Sequence, residues 1–207
     1  MVHNTVFYVY FEHTIFSYSG FLLKIYLINQ KNIDNSKNYY FKDGKKYVKA
    51  TFAAGCFWGV EELFRHLNGV KDTKAGYVGG SFENPTYQDV CSGKTGHAEA
   101  IEIEYDPKDI SYEELLKVFW NNHNPTTVNQ QGPDIGEQYR SAVFFHDSEQ
   151  ESTAKKLKET LQDAAIKRFG KKIVTEIVPA TKFFKAEEYH QKYLEKNGLA
   201  QCSSKIN

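Results

Sequence analysis

Surplus charge of either sign is the first thing this chain lacks: 26 Lys and Arg residues stand against 26 Asp and Glu. Without a basic excess there is no electrostatic footprint for nucleic acid or an anionic membrane. Cysteine is scarce too, with three in 207 residues. A disulfide-stapled secreted scaffold carries more of them, in pairs, on a shorter chain. A reducing, cytoplasmic compartment is therefore the expectation, and any working thiol becomes a candidate for chemistry. A membrane helix needs about 20 clean apolar residues. The most apolar stretch, residues 5–28, is interrupted by Glu12, His13, Ser17, Ser19 and Lys24, and the opening "MVHN" lacks the basic region of a signal peptide. No C-x₂-C or H-x₃-H pair occurs, so neither metal nor cofactor is expected. The glycine-rich segments "GYVGG" (76–80) and "VCSGKTG" (90–96) match no phosphate loop.

What is present suits one folded domain. Apolar residues make up 41% and charged residues 25%, ordinary values for a globular chain. Residues 1–46 read as an accessory or poorly ordered extension whose polar part, 29–46, is a linker, and residues 47–207 read as the domain. "YVKATFAA" has strand character. It runs into "CFWGVEELFRHL", where Val60, Leu63, Phe64 and Leu67 form one apolar stripe of a helix. A second strand ends in glycines near residue 80, a turn-rich loop follows, and "HAEAIEIEYDP" is a third strand. Ser111 with Glu114 three residues on is a capping box ahead of a second amphipathic helix. A Gly/Pro loop then leads to the strand "YRSAVFF". The order β-α-β-β-α-β implies an α+β fold, a ferredoxin-like βαββαβ two-layer sandwich with long loops. Beyond it come a long polar helix (149–169) closed by Gly170, a strand "KIVTEIVP", a short helix near 186–197 and a C-terminal tail.

Cys56 sits at the first strand-to-helix turn, after Gly55. Free amides and the positive end of the helix dipole there favour a thiolate, so the expectation is a lowered pKa. Phe57 reads as a core residue, whereas Trp58 is hard to place in the core beside the stripe that begins at Val60. Taken alone, the stretch suits a buried structural cysteine equally well. Glu99 shifts the balance. By strand alternation it shares a face with Ile101, Ile103 and Tyr105, while Glu102 and Glu104 share the other. A carboxyl held among apolar groups has a raised pKa and can serve as an acid near neutrality. The competing reading is a strand-end glutamate whose head reaches water.

The segments "GCFWGVEELF" (55–64), "GYVGG" (76–80), "NPTYQDVCSGKTGHAEAIEIEYDP" (84–107), "VFWNNHNPT" (118–126) and "QGPDIGEQYRSAVF" (131–144) together resemble the peptide methionine sulfoxide reductase A family. The likeness runs from about Tyr47 to the C-terminal cysteine. It implies reduction of the S epimer of methionine sulfoxide, free or in proteins, with thioredoxin as the recycling dithiol. It also implies roles residue by residue. Cys56 matches the nucleophile and Glu99 the acid. Tyr87 and Tyr139 match the phenols that hold the sulfoxide oxygen, and Asp134 the aspartate at the site. Phe57 and Trp58 match the aromatic wall around the substrate methyl group. Cys202 falls where the family often has its first recycling cysteine, which would condense with a Cys56 sulfenic acid to give a disulfide. Here the chain departs from the commoner pattern: "NGLAQC" replaces the Pro-Tyr-Gly-Tyr-like run, and no later cysteine follows.

The family alignment gives Cys91 no redox role, and it reads as a small residue packed at a loop-to-strand junction. His97 and His190 read as hydrogen-bonded structural histidines. A monomer is expected. Two other functions compete with the reductase. One is a different thiol oxidoreductase, although a disulfide exchanger usually shows a C-x-x-C pair. The other is an inactive module that only binds methionine sulfoxide.

Overall fold

The computed structural model describes residues 38–199. The chain enters on β1 (Tyr39–Lys42) and β2 (Lys45–Ala54), an antiparallel hairpin in which Lys42 pairs with Lys45. The turn is Asp43-Gly44, and both residues have positive φ, 49° and 73°. Two such residues match the twist of the flanking strands, as in a type I′ turn. The linker expected over 29–46 is therefore corrected for residues 39–46, which extend the sheet.

Next come α1 (Phe57–Arg65), β3 (Val70–Val78), α2 (Tyr87–Cys91), β4 (Ala98–Tyr105) and α3 (Tyr112–Asn121). A two-residue pair follows, β5 (Gln130–Gln131) with β6 (Asp134–Ile135), then a 3₁₀ turn (Glu137–Tyr139) and β7 (Ser141–Phe145). The C-terminal part holds α4 (Ser148–Phe169), β8 (Glu176–Pro179), β9 (Phe184–Lys185), a 3₁₀ turn (Glu188–His190) and α5 (Tyr193–Lys196). The main sheet runs β8-β7-β2-β4-β3-β9, with β1 also on β2. The four strands of the expected β-α-β-β-α-β run thus lie in the order β7-β2-β4-β3, and their pairings are antiparallel. This is the α+β class that the sequence predicts.

Helix ends follow the local chemistry. Ser111 and Glu114 form a complete capping box at α3, and Gly170 closes α4 in the left-handed region. Thr86 and Asp89 form a second capping box that starts α2 inside the segment expected to be loop. Only Glu176–Pro179 of the predicted "KIVTEIVP" strand pairs, in parallel with β7.

The sheet has two unlike faces. Phe52, fully buried, stacks on Phe64 of α1 at 5.5 Å and on Phe119 of α3 at 5.2 Å. Ile101, Ile103 and Tyr105 of β4 join that cluster, the face the alternation assigned to Glu99. Burial of one such side chain is worth about 1.5–3 kcal/mol. The opposite face is lined by Ala53, Ala98, Ala100 and Ala142 with Val78 and Phe144. These small side chains let the C-terminal segment approach closely. At Gly76 an added Cβ would lie 2.4 Å from the Phe183 ring and 2.5 Å from the Phe184 carbonyl oxygen.

Candidate active site

The turn between β2 and α1 is built around Gly55. Its φ of +91° is accessible to glycine at little cost, and an added Cβ would meet Gln131 at 2.7 Å. Gln131 is held there by Asn124, accepting its N–H and donating to its carbonyl. Cys56 is the N-cap of α1, with no side-chain capping hydrogen bond, and the Trp58 and Gly59 amides lie close enough to its sulfur to favour the anion. These amides pull the thiol pKa down, as a helix tip should. Burial and the nearby Glu99 carboxyl outweigh them and push it up to about 12. The lowered pKa expected for Cys56 is therefore corrected: the protein holds this sulfur mainly as a thiol. Desolvation disfavours the anion, and a second negative group close by adds to that.

Glu99 comes in from β4 and is 1% exposed. Its Oε2 accepts the Phe57 amide N–H at 3.0 Å, the bond next to Cys56 in the chain. Burial pushes its carboxyl up to about 7, with the Asp134 charge adding to the effect and the Phe57 amide opposing it. The strand-end alternative, with the carboxyl in water, does not hold. Near neutral pH this group exists in both protonation states.

The loops deliver the remaining predicted residues to the same place. Asp134, on β6, lies close enough for its charge to act on Cys56, Glu99 and Tyr139. Tyr139 ends the 3₁₀ turn, and burial pushes its phenol up to about 12, helped by Glu99, Cys91, Asp134 and Cys56. Tyr87 is the first residue of α2. Burial raises its phenol, followed by its hydrogen bond with Cys91, and Glu99 and Tyr139 lie in its field. Cys91 is exposed at the end of α2, so its expected packed position is corrected. Phe57 is 1% exposed beneath the site, 5.9 Å from Tyr77 and 5.0 Å from His190. Trp58 is half-buried and stacks on Tyr193 at 3.8 Å, nearly parallel. Cys202 lies outside the described residues.

The sequence reading missed a clasp, residues 187–193, that closes over these side chains. The Trp58 indole N–H donates to His190 Nδ1 at 2.9 Å, which leaves the buried Nε2 without a partner among the described residues. The His190 ring lies 4.5 Å from Tyr87. Glu187 accepts the Tyr77 hydroxyl and the Tyr87 amide, both at 2.9 Å. Gln191 bonds the backbone of Ala75 on both its N–H and C=O. The Lys192 amide, at a residue with φ of +51°, donates to buried Glu61 of α1 at 2.6 Å. The aromatic density of "EYHQKYL" was the available signal, but the partners of this segment are 100 or more residues away.

Several known proteins are similar to this chain. Residues 48–207 match the family model described as Peptide methionine sulfoxide reductase. A relative named peptide methionine sulfoxide reductase MsrA, from Methanothermobacter thermautotrophicus, is 55% identical over 157 residues, 76% of this chain and 92% of that one. The solved structure of Mxr1 from Saccharomyces cerevisiae in reduced form has TM-score 0.72 and 39% identity, covering 82% of this chain and 95% of that one. Mxr1 in complex with Trx2 matches with TM-score 0.52 and 32% identity, covering 74% and 88%.

Proposed function

We propose how this site acts from one premise: the chain belongs to the peptide methionine sulfoxide reductase family. It reduces methionine sulfoxide to methionine, and the S epimer, free or in proteins, is the substrate. The observation that carries the mechanism is the buried Glu99 carboxyl, pushed up to about 7 and bonded to the amide that follows Cys56.

A sulfoxide has an electrophilic sulfur and a basic oxygen. Glu99 protonates the oxygen as the Cys56 sulfur attacks, and the thiol proton passes to the carboxylate left behind. A thiol near pKa 12 then need not ionise in advance, because the neighbouring acid and the substrate share its proton. Positioned acid catalysis of this kind contributes about 10²–10⁴-fold. Tyr87 and Tyr139 donate to the oxygen where negative charge gathers, and Asp134 keeps the Glu99 proton in place by repulsion. Trp58 faces the S-methyl group. Phe57, covered from solvent, supports Trp58 from below. A sulfur–aromatic contact is worth only about 0.3–1.5 kcal/mol, so its main effect is orientation. The oxygen moves to Cys56, which becomes a sulfenic acid. The thiol sulfur loses two electrons and the sulfoxide sulfur gains them.

Cys202 then condenses with the sulfenic acid, releasing water and forming a disulfide. A thioredoxin dithiol reduces that disulfide, a step supported by the solved complex of Mxr1 with Trx2. The reductase domain takes in residues 47–207 together with the β1–β2 hairpin from Tyr39, and the residues before that hairpin are an accessory extension. A reducing, cytoplasmic setting is consistent with this cycle. No helix among the described residues is long and apolar enough to cross a membrane.

Single-turnover assays test the reading. One equivalent of enzyme should convert the S-sulfoxide and leave the R-sulfoxide, with Cys56 trapped as sulfenic acid by a dimedone-type reagent. Comparable turnover of both epimers, or of hydrogen peroxide, would show a less selective thiol oxidoreductase. A module that only binds would give no methionine at all. Cys202→Ser should still yield methionine once and then stall with thioredoxin. Normal cycling would assign resolution to Cys91 or to an external thiol.

A further inference from the structure

Tyr189 is 57% exposed, yet its ring lies 4.1 Å from that of buried His190. His190 holds the Trp58 indole and packs against Tyr87. The phenol of Tyr189 lies within range of the charges of Glu187 and Cys91, which marks the Tyr87 side of the site. A large aromatic ring thus continues the inner wall outward and remains mostly open to solvent.

The reductase reading places the sulfoxide against Trp58 and Tyr87, and His190, which touches both, carries the Tyr189 ring on its solvent side. The substrate sulfur is joined to its Cα through only two methylene groups, so the backbone of a bound residue emerges at the outer edge of the wall. A free amino acid presents an ammonium and a carboxylate there. A polypeptide presents amides and neighbouring side chains instead. A tyrosine ring fixed on one side offers an apolar surface to stack on amides and aliphatic groups, plus a hydroxyl for a backbone carbonyl, at low entropic cost.

We propose that Tyr189 is a specificity-determining residue that binds the extended polypeptide flanking a methionine sulfoxide, favouring protein-bound over free substrate. The proposal rests on the reductase reading above. It places the selectivity outside the residues that react, in a side chain the reaction itself does not need.

The test compares kcat/KM for an N-acetylated, C-amidated pentapeptide carrying methionine-S-sulfoxide with kcat/KM for the free S-sulfoxide. Tyr189→Ala should lower the peptide-to-free ratio about three- to tenfold, the loss expected for one stacking or hydrogen-bonding contact. Tyr189→Phe should retain at least half of the ratio, because the ring remains. Ile166→Ala, which removes another exposed apolar side chain on α4, should leave the ratio unchanged. A parallel fall for both substrates in Tyr189→Ala would overturn the proposal, since the ring would then serve only to prop His190. An unchanged ratio and unchanged rates would overturn it as well. Wild-type protein that reduces neither substrate would sink the reductase reading and this proposal with it, whereas an active wild type with an insensitive ratio sinks only the proposal.

Discussion

Glu99 and Glu61 are both 1% exposed; Glu61 belongs to the middle of α1, and Glu99 reaches the first turn of that helix from β4. Burial raises both carboxyls. They differ in what surrounds them. Each oxygen of Glu61 has its own donor, the Thr73 hydroxyl at 3.0 Å and the Lys192 amide at 2.6 Å. Among the described residues Glu99 has one donor, the Phe57 amide, and its remaining lone pairs lie beside a thiol. A buried carboxyl with both oxygens satisfied works as a strut. One with acceptor capacity left next to a nucleophile can exchange a proton with a ligand. Burial alone does not distinguish the two, but the donor inventory does.

The largest predicted effect separates the pair by activity. Glu99→Gln should cut single-turnover reduction by about 10²–10⁴-fold, and Glu61→Gln by less than about tenfold, because its effect reaches the site only through the clasp. Equal losses would erase the distinction.

Stability should reverse the order. Glu61→Ala strands the Lys192 amide and the Thr73 hydroxyl, a cost of about 1–3 kcal/mol per unmet group, measurable by urea unfolding. Glu99→Gln should instead gain stability at alkaline pH. The folded-state pKa of Glu99, about 7, lies above its ordinary value of 4.5. The folded protein therefore holds this proton more tightly than the unfolded chain does. Its stability contribution is complete below about pH 4.5 and is lost as pH rises through 7. The wild type should lose on the order of 3 kcal/mol across that window from this group, and Glu99→Gln should lack that slope. A slope that persists in the variant would assign it to another group.

The smallest effect concerns the clasp that Glu61 anchors. Tyr193→Ala removes the ring stacked on Trp58, and aromatic pairs are worth about 0.5–1.5 kcal/mol. KM for the sulfoxide should rise roughly two- to tenfold with kcat within twofold. A fall confined to kcat would argue against Trp58 as the methyl-binding wall.

Local pattern made the scaffold legible. Alternation placed Glu99 on the face of Ile101 and Ile103, the stripe from Val60 to Leu67 gave α1, and Ser111 with Glu114 gave the start of α3. What escaped was either short or long-range. The turn at Asp43-Gly44 is a hairpin signal, hidden in an Asn/Lys-rich stretch that reads as linker. The five residues of α2 sit inside a loop-like segment, although Thr86 and Asp89 carry its cap. The sequence misjudges the Cys56 pKa because the helix tip is visible in it, whereas the burial is not, and the carboxyl that helps overrule the tip comes from β4, where Glu99 lies 42 residues beyond Phe57. Tyr87, Asp134 and Tyr139 came from family resemblance alone, since no local rule brings three loops to one thiol. The clasp was missed for the same reason.

One pair of readings on Glu99→Gln tests the proton-sharing mechanism most directly. The Glu99 charge raises the Cys56 pKa, so its removal should increase the thiolate fraction and speed alkylation of Cys56 by iodoacetamide at pH 8. Reduction of the S-sulfoxide in a single turnover should fall at the same time by at least about 100-fold. A better nucleophile in a worse enzyme is the predicted result. Alkylation and reduction that rise together, or a variant that reduces sulfoxide at the wild-type rate, would contradict it.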